Sequence, residues 1–234
     1  MKEMNVAQLT GIVKEYTQPG DAAPVRVLDR LSLTVVPGET IAVTGPSGSG
    51  KTTFLNILGT LDEPTAGEVI LGTEPIRGMD ETRRAALRNR YIGFVFQQHI
   101  LLPQLTILEN VMLPVLPVKE KNLKQEAQER AVTLLEKVGM KDHLRHFPGR
   151  LSVGECQRAA VVRALVNKPS LLLADEPTGS LDAHNAALLA DLLSELSGLY
   201  GYALVMVTHD PEVARKMSVH YRLLDGALHP ERLP

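Results

Sequence analysis

Apolar residues alternate loosely along residues 5–16 and again along 25–36. A period of two is that of strands with one buried face, so these stretches, joined by the loop QPGDAAP, predict an N-terminal sheet. The next apolar run, in ETIAVTG, is short and continuous. Such a run predicts a strand covered on both faces, and it leads directly into the glycine-rich GPSGSGKTT. A helix over KTTFLNILG follows, then strands at GEVILG and YIGFVF on either side of the charged helix DETRRAALRNR. From Gln98 to Leu165 a helical period takes over, in TILENVMLPVL, NLKQEAQERAVTLLEKVG and the stretch that LSVGE opens and Asn167 closes, ahead of Pro169. Strands return in LLLADE, ALVMVTHD and YRLLDG, with the helix AHNAALLADLLSELSGL after the first. Strand–helix alternation predicts an α/β fold on a mainly parallel sheet. We read residues 1–234 as a single domain with a helical subdomain, 98–165, inserted in it. The ends, HPERLP above all, are expected to be disordered.

Composition removes several classes. A hydrophobic fraction of 44% against 22% charged residues is that of a soluble globular chain. With 25 basic and 27 acidic residues, no basic tract, few aromatics and no Trp, no nucleic-acid partner is expected. The single cysteine, Cys156, allows no internal disulfide and suits the cytoplasm. MKEMNVAQLTG lacks a long apolar core after its lysine, so no signal peptide is expected. No apolar run approaches a membrane span, so any spans this chain works with belong to another chain.

The chemistry begins at residues 45–52. GPSGSGKT fits G-x-x-x-x-G-K-[ST] between a predicted strand and a predicted helix. Backbone N–H groups of such a loop wrap phosphate oxygens, Lys51 places a cation near the β- and γ-phosphates, and the Thr52 hydroxyl is a Mg²⁺ ligand. Asp175 closes the apolar strand in LLLADE, at the carboxyl edge where parallel sheets bind ligands, and is a second Mg²⁺ ligand. Glu176, one residue on, is placed to polarise an attacking water. Alone, Asp-Glu after a strand reads as a solvated turn; the phosphate loop changes that reading. His209 and Gln97 each follow a strand, in VTHD and GFVFQQ. A histidine there can reach the γ-phosphate, and an amide can ligate Mg²⁺ or orient water. LSVGE is a second anion-binding helix start, with a small polar cap, a glycine and an acid.

In that order, GPSGSGKT, Gln97, LSVGE, LLLADE, the SLD of TGSLDA and His209 resemble the nucleotide-binding subunit of an ABC transporter, over residues 5 to 228. The resemblance implies a P-loop NTPase of ABC type, with an antiparallel N-terminal β-subdomain, a parallel core sheet and an inserted helical subdomain. It implies an ATPase with Mg²⁺ that works as a head-to-tail homodimer with ATP between the subunits. Gly45, Pro46, Ser47, Gly48, Ser49, Gly50, Lys51, Thr52 and Thr53 of one subunit would hold the phosphates, and Tyr16 would stack on adenine. Ser152, Val153, Gly154 and Glu155 of the other subunit would meet the same nucleotide, and Ser180, Leu181 and Asp182 would couple the two sites. Glu176, His209 and Gln97 are the implied catalytic residues, and Thr52, Gln97 and Asp175 the implied metal ligands.

Val153 stands where the family's usual form has the first of two glycines. A working site is expected; the alternative is a slow or asymmetric one, which Val153→Gly would speed severalfold. VLDRLSLTV, NILGTLDEPTAGEV and LLPQLTILENVMLP resemble the LolD, MacB and FtsE branch, on its lipoprotein-releasing or MacB-like export side. That branch implies permease subunits on separate chains and a peripheral position on the cytoplasmic face of a bacterial inner membrane. Ile100, Leu101, Leu102 and Val111 read either as a groove for a permease helix or as the subdomain's own core. The alternatives are an FtsE-like cell-division ATPase and a permease-free soluble ABC ATPase. A plain P-loop kinase or GTPase lacks an N-K-x-D tetrad here and leaves LSVGE unexplained.

Overall fold

A computed structural model describes residues 5–17 and 23–232. Most of the QPGDAAP loop and the first four residues lie outside the described residues. The chain runs β1 (Ala7–Tyr16), β2 (Val25–Val35), β3 (Thr40–Thr44), α1 (Lys51–Leu58), β4 (Ala66–Leu71), β5 (Glu74–Pro75), α2 (Glu81–Tyr91), β6 (Ile92–Phe96), α3 (Ile107–Met112), α4 (Lys121–Lys137) and α5 (Val153–Leu165). It continues through β7 (Leu171–Asp175), α6 (Ala183–Tyr200), β8 (Ala203–Val207), α7 (Pro211–Ala214), β9 (Val219–Leu224) and β10 (Ala227–Pro230).

Two sheets form. One is antiparallel, in the order β2-β1-β4-β5. The other runs β10-β9-β3-β8-β7-β6, parallel except for the β9–β10 pair. The continuous apolar runs occupy the middle of the second sheet, where helices and the first sheet cover both faces. Strand alternation then divides the interior in two. Leu171 and Leu173 of β7 pack with Phe54 and Ile57 of α1 and with the first sheet. Leu172 and Ala174 face the other way, among α5 and α6.

Helices α3, α4 and α5 pack on one another, and α5 also packs on β6. Their starts are encoded locally. Thr106 and Glu109 make a capping box on α3, and Ser152 and Glu155 make another on α5. Buried Asn110 ties the preceding loop down: its amide donates to Leu102 O, Leu105 O and Thr106 O, each at 3.0 Å, and its Oδ1 accepts from Leu102 N at 2.7 Å.

Three local expectations change. The helix expected over TILENVMLPVL stops at Met112 and tightens into a 3-10 turn at Leu113–Val115, because Pro114 has no N–H for a helical bond. The α5 helix ends at Leu165 rather than Asn167. The HPERLP tail is in part ordered: β10 includes His229 and Pro230, and Glu231 Oε2 accepts from Thr44 Oγ1 at 2.7 Å. Its composition signals mobility, but an antiparallel partner strand and a part-buried hydroxyl hold it.

The four apolar residues singled out after Gln98 differ in burial. Leu101 and Val111 are buried, whereas Ile100 and Leu102 are 55% and 44% exposed. No helix among the described residues is long and apolar enough to cross a membrane.

Candidate functional site

Between β3 and α1 the backbone turns through left-handed φ at Gly45 (+153°), Gly48 (+78°) and Gly50 (+96°). Gly45 is also demanded by packing: a Cβ there would lie 2.6 Å from Leu223 O on β9. Gly50 caps α1 without a side chain, so the first-turn N–H groups of α1 face the loop. Lys51 Nζ donates to Gly45 O and Pro46 O at 2.9 Å, which folds its ammonium over the loop. Ser49 Oγ is buried with no hydrogen-bond partner. A glycine loop, a helix N-terminus, a lysine and an orphaned hydroxyl together suit a polyphosphate.

Thr52 Oγ1 donates to Asp175 Oδ2 at 3.3 Å. These are hard oxygen donors from two elements meeting at the loop's edge, and they fit Mg²⁺, which takes few protein ligands alongside phosphate and water. Burial pushes the Asp175 carboxyl above the usual carboxylate range; the Thr52 hydrogen bond opposes this, the neighbouring Glu176 charge adds to it, and Lys51 opposes it. A carboxyl that is easier to protonate folded than unfolded costs stability once pH rises through its raised range. At neutral pH the ionised Asp175 therefore weakens the fold it serves. Asp175→Asn is expected to raise the melting temperature of the nucleotide-free chain while removing Mg²⁺-dependent ATP hydrolysis. Calorimetry and a phosphate-release assay on one preparation check both halves.

Glu176 adopts φ +47°, a left-handed conformation that a non-glycine residue rarely takes. Its N–H donates to Val207 O at 2.9 Å, so the turn is held by β8. The carboxylate is fixed twice by His209: Oε2 lies 2.7 Å from Nδ1 and accepts from the backbone N–H at 3.3 Å. The carboxylate side chain is 18% exposed and the imidazole 70%. Gln97 lies against Gly179, where a Cβ would come 2.8 Å from Gln97 Nε2, and Gln97 O accepts from Ser180 Oγ at 3.2 Å.

Tyr16 ends β1 with an exposed ring. Its hydroxyl donates to Asp62 Oδ2 at 2.8 Å, and Lys14 Nζ lies 4.8 Å from the ring centroid. Its phenol is pushed up, first by burial, and a hydrogen bond with Thr53 at the start of α1 lowers it in part.

The second helix start is separate. Ser152 Oγ donates to Glu155 Oε2 at 2.7 Å, and Glu155 N donates back to Ser152 Oγ at 3.3 Å. The Ser152 hydroxyl and backbone N–H together hold Glu155 below the usual carboxylate range. Val153 is half-exposed, outside the core, and a Cβ on Gly154 would find nothing nearer than 3.8 Å. This face is open. Leu181 N donates to Thr178 O, and Asp182 caps α6 by accepting from Asn185 N at 2.9 Å. Among the described residues no hydrogen bond joins the Ser152–Glu155 group to Thr52, Asp175, Glu176 or His209.

Residues 28–179, more than half of the chain, match the ABC transporter family. The chain belongs to that family. The lipoprotein-releasing system ATP-binding protein LolD of Psychrobacter arcticus is 49% identical over 209 residues, covering 89% of this chain and 91% of that protein. LolD of Pseudomonas fluorescens is 45% identical over 232 residues, covering 97% and 99%. Among solved structures, a dimeric post-hydrolysis state of an ATP-binding cassette bound to ADP and Pi superposes with a TM-score of 0.83 at 36% identity, over 97% of this chain and 99% of that one.

For an ABC transporter ATPase, the sequence left two features unread. One is the Glu176–His209 pair, 33 residues apart, which only the β7–β8 pairing brings together. The other is Gln157, buried in α5 and bonded to Phe96 O. A glutamine at a position of α5 otherwise walled by alanine and valine is the one signal for it in the sequence.

Proposed function

We propose that this chain is the ATP-hydrolysing subunit of a bacterial ABC transporter for lipoprotein release, acting as a homodimer that closes head to tail on ATP. The observation that carries this is the convergence at one sheet edge. The glycine loop, His209 and Gln97 each follow a strand of the β3-β8-β7-β6 run, and Asp175 ends one, all at the carboxyl edge. The LolD relatives named above support the transport branch.

In this reading the loop residues Gly45 to Thr53 take the phosphates, and Lys51 trades its two backbone carbonyls for phosphate oxygens. Tyr16 offers its exposed ring to adenine. Thr52, Asp175 and Gln97 hold Mg²⁺, which when bound neutralises phosphate charge. Glu176 takes the proton of the attacking water, and His209 fixes the carboxylate that does so. Ser152 gives up its bond to Glu155 and, with the Gly154 N–H, meets the γ-phosphate held by the partner subunit. Val153, outside the core, leaves that approach open. Ser180, Leu181 and Asp182 lie at the same interface and couple the sites. ATP thereby favours the closed dimer by differential contacts, and hydrolysis releases it.

Residues 98–165 act as the helical subdomain. The apolar groove beside them, about 500 Å³ and lined by Leu61, Phe94, Phe96, Leu113 and Arg163 among others, receives a permease helix. The chain then works at the cytoplasmic face of the inner membrane.

The test is co-purification. Tagged Glu176→Gln protein is trapped with MgATP in host membranes, solubilised gently, and its partners are identified. A permease with few spans and a large extracytoplasmic domain is the expected result. A division-associated membrane protein, or the homodimer alone, overturns the assignment.

A further inference from the structure

Gln157 is wholly buried within α5. Its Nε2 donates to Phe96 O at 2.7 Å, while its Oε1 has no partner. The orientation is not arbitrary: a carbonyl only accepts, so the amide nitrogen must face Phe96. A half-satisfied buried amide serves folding worse than an apolar side chain of the same length. Its one bond, however, falls on the residue before Gln97.

The same helix reaches the rest of that segment. Arg163 donates to His99 O at 2.9 Å and also to Ile100 O. Ile100 has φ +46°, a strained conformation for a β-branched residue that persists where the surroundings hold it. The carbonyls of Phe96, His99 and Ile100 are therefore all gripped from α5, and that of Gln97 by Ser180. Ser152 caps the N-terminus of this helix. Ser152 and Gln157 thus lie on one helix, which joins the Ser152 cap to Phe96 O at the end of β6.

We propose that Gln157 is a positioning residue. Its amide ties the backbone at Gln97 to the signature helix, so that Gln97 reaches the reacting phosphate only when α5 stands where Ser152 meets ATP. This rests on the ATP-sandwich reading above.

The experiment compares the parent chain with Gln157→Met, which keeps the length and loses the donor, and Gln157→Glu, which keeps the shape. In Gln157→Met, kcat is expected to fall about tenfold, the equivalent of one hydrogen bond, with ATP affinity unchanged. Its melting temperature should change little, because the unpaired Oε1 is gone while Phe96 O loses its donor. In Gln157→Glu only the protonated carboxyl can donate to Phe96 O. Its kcat relative to the parent should therefore recover as the buffer is made acidic, whereas the Gln157→Met ratio stays flat. Glu155, Arg158 and Arg163 on α5, His99 on the loop, Asp175 at the end of β7 and Glu176 just after it are common to all three proteins, so the ratio removes their own titrations.

A Gln157→Met protein with parental kcat, or a Gln157→Glu ratio indifferent to pH, overturns the proposal. If Gln157→Met fails to fold, the Gln157→Glu profile decides alone. A folded parent that hydrolyses no ATP overturns the ATPase reading itself.

Discussion

Replacing Glu176 with glutamine is expected to lower ATP turnover by about 10²–10⁴-fold, the usual contribution of a positioned general base, while ATP still binds. The substitution keeps the side chain's size and its hydrogen bond from the His209 backbone, so the left-handed turn at residue 176 is retained. What is lost is the carboxylate proposed to accept the water's proton. Because the phosphate loop and the Ser152 face are untouched, the ATP-bound dimer should accumulate. Gel filtration with MgATP and a phosphate-release assay read the two effects separately. A variant that turns over at the parental rate removes Glu176 from the role of base. One that loses both binding and turnover shows instead that the Glu176–His209 pair holds the site together.

The second large effect is expected at Lys51. Lys51→Ala removes the ammonium that stands over the glycine loop. A charge-assisted hydrogen bond contributes about 1.5–3 kcal/mol, so ATP affinity should fall about 10–100-fold. The fold should survive, because Pro46 O also accepts from Ser49 N and sits on an exposed residue, and Gly45 O is only part-buried. Titration with a fluorescent ATP analogue measures the loss, and unchanged affinity contradicts the loop's assignment. The two variants differ in kind: at a MgATP concentration that saturates the parent, Lys51→Ala forms little of the ATP-bound dimer, whereas Glu176→Gln leaves it slowly. Dimer formation with MgATP, seen in one and missing in the other, distinguishes them on a single column.

Much of the site was legible because its parts are short and local. GPSGSGKT carries its own glycines for left-handed turns, its lysine and its hydroxyl within eight residues, and LSVGE carries a complete capping box within five. The central strands were legible for a similar reason: burial on both faces leaves TIAVT, LLLAD and ALVMV almost without polar residues. Elements whose existence depends on a partner were not legible. The two-residue β5 exists only against β4, and β10 only against β9, so a tail of His, Pro, Glu and Arg reads as loose until that pairing is seen. Leu101 and Ile100 are adjacent and both apolar, yet one is buried and the other exposed, a difference that only the packing of this segment sets.

The sequence by itself determined the fold class, through strand–helix alternation along the chain, and the glycine loop and the two helix starts, since each of these follows from side-chain chemistry within a few consecutive residues; the acidic pair at the end of β7 was legible only beside the glycine loop. Only the tertiary structure decided that His209 holds Glu176, that Thr52 meets Asp175 across 123 positions, and that Gln157 grips the backbone beside Gln97. Those contacts are set by which strands lie side by side in the sheet and how α5 lies on β6. Register and helix placement are properties of the packed core as a whole, and no short stretch of the chain encodes them.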